Sequence, residues 1–117
     1  MATIAVVVDV TSFPNTIVQS WSALNATDTT GAAASYPQFN DKTVTVNGTF
    51  DTGTLTMQGS NDGTNWFTLT DPAGNNVAFT AAGGKAIVEN PLYIRPVLSG
   101  AGADSLNVVV AARAGSR

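Results

Sequence analysis

The chain has 117 residues, a net charge of −3, 44% hydrophobic against 11% charged residues, and neither cysteine nor histidine. Such a length suits one domain with a single core, and a polar balance carried by Thr, Asn, Ser and Gly favours strands and turns over helix. The composition excludes disulfides and thiolate metal sites, removes the usual general base and the commonest metal ligand, and with five Lys and Arg in all offers no basic patch for nucleic acid.

At the start of the chain Ile4, Val6, Val8 and Val10 alternate with Ala5, Val7 and Asp9, which predicts a strand apolar on both faces. Its apolar run, Ile4 to Val8, is short, lacks a basic flank and is broken by Asp9, so it reads as neither a signal peptide nor a membrane span, and a soluble protein is expected. After the turn residues Phe13-Pro14-Asn15 a second strand is predicted from Thr16 to Leu24, with Ile17, Gln19 and Trp21 on one side and Val18 and Ser20 on the other. Residues 25–40 carry no periodicity over their first part and are expected to form a long exposed loop that re-enters the fold through Tyr36-Pro37-Gln38-Phe39. Lys42 to Phe50 alternates cleanly, with Val44, Val46, Gly48 and Phe50 inward. A turn at Asp51-Thr52-Gly53-Thr54 is expected to set Phe50 opposite Leu55 and Gly48 opposite Met57, the bare glycine making room for the methionine.

Leu55 to Leu69 is the strongest local signal, two strand-forming runs joined by Asn61-Asp62-Gly63. A three-residue loop with Gly63 in the left-handed conformation pairs Ser60 with Thr64, Leu55 with Leu69 and Met57 with Phe67. That register leaves Leu55, Met57, Phe67 and Leu69 on a core face and Thr56, Gln58, Trp66 and Thr68 on a polar one, whereas a two-residue turn would mix the two sets. Asp71 to Asn76 is turn chemistry, Val77 and Phe79 a short strand, Ala81 to Gly84 a break, and Lys85 to Val88 a brief strand. Glu89-Asn90-Pro91 is a corner before the strand Leu92 to Leu98, in which Pro96 predicts an edge position or a bulge. After a Gly-rich turn at Ser99 to Asp104, Leu106 to Ala112 closes the domain with Leu106, Val108 and Val110 inward, and Ala114 to Arg117 is a polar tail. Short strands at this spacing predict an all-β, antiparallel, jelly-roll-like β-sandwich filling residues 1–117 as one domain, with an N-terminal strand or arm at 1–12, the long loop at 25–40 and the sandwich core at 41–113.

The segments DKTVTVNGTF, LTMQGSNDGTNWFTLTDPAGN, ENPLYIRPVLSG and LNVVVAAR carry two resemblances. The hairpin SNDGTNW followed by an Arg-bearing strand is similar in layout to discoidin-like jelly rolls. More closely, Asp41 to Arg113 resembles a group of small tailed-bacteriophage virion proteins thought to decorate the head. The resemblance implies a structural decoration or cement protein on the capsid exterior, assembled in the host cytoplasm, a homo-oligomer (trimer) whose partner is the major capsid protein. A carbohydrate-binding or adhesion module on a phage tail or baseplate is the alternative.

Among single residues, Trp66 could stack on a sugar or cover an interface. Asp62 could ligate calcium, although the turn alone accounts for it. Arg95, between Tyr93 and Val97 in sequence order of alternate residues, could meet an anion or a partner carboxylate, or rest on Tyr93. No serine has a base to form a nucleophilic site, so no catalytic, cofactor or metal residue is assigned and no enzyme is expected. Two lysines in the whole chain leave strand edges short of the charges that usually keep them apart. The interface is therefore expected at Ile4, Val6, Val7, Val8, Trp66, Tyr93 and Arg95, with no nucleic acid and no membrane as partner.

Overall fold

The computed structural model describes residues 3–10 and 15–114. Phe13 and Pro14 of the first expected turn and residues 115–117 of the tail lie outside the described residues. Among those described there are eleven strands and no helix: β1 (Thr3–Ile4), β2 (Val7–Val10), β3 (Thr16–Leu24), β4 (Thr30–Gly31), β5 (Asp41–Thr49), β6 (Thr54–Ser60), β7 (Phe67–Thr68), β8 (Ala78–Phe79), β9 (Gly83–Ile87), β10 (Tyr93–Ser99) and β11 (Ser105–Arg113). One sheet runs β1-β4-β10-β6-β7 with β8 also on β6, the other β2-β3-β11-β5-β9. The fold is the all-β sandwich expected from composition. All strand pairings are antiparallel except that of β1 with β4.

The core between the sheets is built by alternation. Val44 and Val46 of β5, Leu106, Val108 and Val110 of β11, Leu55 and Met57 of β6, and Ile94 and Leu98 of β10 are all buried, together with Trp21 and Leu24 of β3. Most of these strands send alternate residues inward, β3 breaking the alternation between Trp21 and Leu24 where its register against β11 shifts, so burying one face of each sheet against the other satisfies both.

Several expectations are corrected. The predicted N-terminal strand is divided between the sheets, β1 pairing β4 and β2 pairing β3, because Ala5 and Val6 carry the chain across the sandwich edge. Residues 25–40 are not wholly an exposed loop: Thr30 pairs with Val97, Ala34 bridges Ile94, and both Gly31 and Ala34 are buried. Small residues hide this strand from a hydropathy pattern, yet smallness is what the site requires, since a Cβ on Gly31 would lie 2.6 Å from both the Pro96 ring and Trp21 Cδ1. Pro96 itself lies in an interior strand in unbroken register with β6. The amides of Ile94 and Leu98 donate to Ala34 and Thr29 on the other side of β10, so the position without an N–H falls in the gap of a sparse ladder and its ring fills the space over Gly31. Gly83 and Gly84, expected in a break, belong to β9.

The turn at residues 51–54 does not make a hairpin. β5 lies between β11 and β9 while β6 lies in the other sheet, so Val44 and Val46 enter the core from one sheet and Leu55 and Met57 from the other. Phe50 is half-buried, and Gly48 opposes Leu106, not Met57.

Gln19, on the buried face of β3, is fully enclosed, and neither its amide nitrogen nor its carbonyl oxygen has a hydrogen-bond partner among the described residues. Burying an unpaired amide is destabilising, so Gln19→Met, which keeps the volume and removes the polar atoms, is expected to stabilise the domain by about 1 to 3 kcal/mol. Urea unfolding checks this through the midpoint, and an unchanged or lower midpoint would show that the amide is satisfied in solution.

Candidate functional site

The hairpin at the centre of the sequence positions the first group of candidate residues. β6 and β7 pair through Gln58↔Thr68 and Gly59↔Phe67, a register two residues away from that of a three-residue loop. The Asp62 carboxylate explains the wider loop. Its Oδ1 accepts the amides of Thr64 and Asn65, each at 2.8 Å, and its Oδ2 accepts Asn65 Nδ2 at 2.7 Å, while Ser60 Oγ accepts the amides of Gly63 at 2.8 Å and Asp62 at 3.2 Å. The loop is thus closed by side chains. Gly63 takes the expected left-handed conformation, with φ 77°. The Asn65 and Thr64 amides, followed by the Asn65 and Ser60 side chains, hold the Asp62 carboxyl far below the usual carboxylate range, and its oxygens are committed to the turn.

A shift of two residues preserves the faces, so Leu55, Met57 and Leu69 remain in the core and Thr56, Gln58 and Thr68 remain outside. Phe67 is the exception. It lies opposite Gly59, where a Cβ would already meet Pro91 and Leu69, and 40% of its surface is exposed.

On the outer face of the six-stranded sheet, Arg95 lies opposite Gln58 and Tyr93 opposite Ser60. The Arg95 guanidinium carbon sits 3.9 Å from the centroid of the Trp66 ring, and Nε donates to Gln58 Oε1 at 3.0 Å. Arginine therefore stacks on Trp66 and not on Tyr93, whose ring is instead the nearest neighbour of the Gly63 turn. Burial against this surface lowers the Arg95 pKa from its ordinary value. Trp66, distant in sequence, is thus brought against Arg95, with Tyr93 two residues before it on the same strand.

The second group stands apart from it, because β4 separates β1 from β10. Ile4 and Val6 pack half-buried against the core, Val8 is half-buried, and Val7 points outward with 61% of its surface exposed. β1 and β2 are the outermost strands of their sheets on this side.

Other polar residues serve the scaffold, and sequence reasoning missed them. Asp104, in the Gly-rich turn, accepts the amides of Asp51 (2.8 Å), Gly53 (3.1 Å) and Gly102 (3.0 Å), and the Asp51 amide above all holds its carboxyl below the usual range. That clamp, with Asp51 Oδ2 accepting the Ala103 amide at 2.8 Å, is what turns the chain from one sheet to the other at 51–54. Asp71 accepts Lys85 Nζ at 3.0 Å and the amides of Ala73 and Asn75, Lys85 being the main cause of its lowered pKa. Burial opposes ionisation of Glu89, but the hydroxyl and amide of Thr70 outweigh it and lower its pKa. Lys42 is buried and donates to Asn90 Oδ1; its place in the alternation with Val44 and Val46 was the signal for that.

Among the described residues no group of three or more acidic side chains is placed to hold a metal ion, and no pocket opens in their surface. Comparison with protein-family models, curated proteins and solved structures found no match.

Proposed function

We propose that the chain is a structural virion protein, a non-enzymatic decoration or cement protein that binds the outer surface of a tailed-phage head between major capsid protein subunits as a homotrimer. The observation that carries this reading is the N-terminal segment: one short run supplies the outermost strand of both sheets, leaving two open main-chain edges beside an exposed Val7, with Asp9 the single charged residue in β2. Such edges gain hydrogen bonds and apolar burial when a neighbouring strand is added. The resemblance of residues 41–113 to head-decorating proteins names the setting. The carbohydrate-binding alternative calls for an open aromatic platform, and Trp66 gives one of its faces to Arg95.

A lysine at the exposed position of β2 blocks edge pairing without entering the core. Wild-type protein is expected to sediment as an oligomer and to pellet with heads assembled without it, and Val7→Lys is expected to be monomeric, to remain in the supernatant and still to melt cooperatively, at a temperature lowered only by the loss of association. A Val7→Lys protein that still oligomerises and decorates would remove the edge from the mechanism.

A further inference from the structure

Arg95 makes no ion pair with the described residues. Its neighbours across and along the strands, Thr56, Gln58, Tyr93 and Val97, are neutral, and the ion pair found among the described residues joins Lys85 to Asp71 instead. Gln58 takes Nε and Trp66 lies beneath the guanidinium, so the side chain is held in place while its two terminal nitrogens make no hydrogen bond to the described residues. A planar fork already immobilised by stacking and one hydrogen bond has lost much of its rotamer entropy before any partner arrives. What such a fork matches is a carboxylate, taken through two parallel N–H···O bonds. Trp, Tyr and Arg together are also the residues in which binding energy concentrates at protein interfaces.

We propose that the outer face of the six-stranded sheet around Arg95, Trp66 and Tyr93 is a docking surface for an aspartate or glutamate side chain of a protein partner. This deepens the decoration reading and rests on it, the partner being the shell subunit. A phosphate backbone is the poorer match, because one arginine on a chain of net charge −3 cannot supply the clustered cations that nucleic acid binding needs.

The test is a pelleting assay with heads assembled without this protein, run across a salt series, for wild type, Arg95→Lys and Arg95→Gln, each first shown to melt cooperatively. Arg95→Gln is expected to weaken binding by about tenfold and flatten its salt dependence, with Arg95→Lys recovering part of the affinity because it keeps the charge but not the fork. Should Arg95→Gln unfold, the loss in Arg95→Lys decides the matter alone. Wild-type binding matched by both variants overturns the docking surface and leaves decoration standing. Heads that take up no wild-type protein overturn decoration and this inference together, and tight binding of a short DNA duplex that depends on Arg95 overturns the carboxylate assignment.

Discussion

Gly48→Ala is expected to lower the stability of the domain by about 3 to 5 kcal/mol, a large effect for one methyl group. Two causes act at once. Gly48 has φ 118°, a conformation that L side chains rarely adopt, and a Cβ built there overlaps the Ser105 carbonyl oxygen and approaches Leu106 Cα at 3.2 Å. Those are backbone atoms in the paired ladder of β5 and β11, so neither can swing aside as a side chain would. Gly74 separates the two causes, since its φ is 86° but nothing lies within 4 Å of its Cβ position. Gly74→Ala isolates the backbone strain, expected near 1 kcal/mol. Urea unfolding of the two variants checks the difference, and equal midpoints would show that the close approach to Ser105 relaxes without penalty.

Gly48 also shows which parts of the fold could be read from residues. Alternation placed Val44, Val46, Leu106, Val108 and Val110 inward because each faces a single core, a relation that the period of two carries whatever the neighbouring strand is. The partner of each strand was not legible. A four-residue turn between two alternating runs looks like a hairpin, and only Asp104, about fifty residues away, reveals that the chain crosses to the other sheet there. Long-range clamps of this kind leave no local trace. Segment 25–40 hides its strand for the opposite reason: its glycine and alanines are too small to register as core, although at Gly31 Trp21 and Pro96 leave no room for a side chain.

The candidate surface was half legible. Trp66, Tyr93 and Arg95 could be assigned to outward faces by parity, and the structure brings Trp66 against Arg95, but parity says nothing of which aromatic ring an arginine covers. That depended on the register of β10 against β6 and on a loop widened by Asp62. The N-terminal run was recognised as apolar on both faces. Its division into two edge strands follows from the parallel pairing with β4, a strand that composition had concealed.

Trp21→Ala is expected to destabilise by about 3 to 5 kcal/mol, the range for truncating a buried aromatic. The ring is wholly enclosed and heads the buried side chains by size, and Nε1 donates to the Ala32 carbonyl at 2.8 Å. Trp21→Phe keeps much of the packing but leaves that carbonyl without its donor, a loss of about 1 to 3 kcal/mol. The contact lies between β3 and the segment that bears β4, and β4 in turn holds β1, so the damage is directional. Amide exchange in Trp21→Ala is expected to quicken at Gly31 and Ala32 well before Val44 and Val110, which pair with each other and not with Trp21. The Ala32 amide is the most informative probe, because it donates to Ile4 at 2.7 Å and so reports whether the N-terminal segment is still seated. Uniform acceleration across both sheets would mean that Trp21 supports the whole sandwich. Acceleration confined to the β1 and β4 side would show one buried indole setting how firmly the proposed binding edge is held.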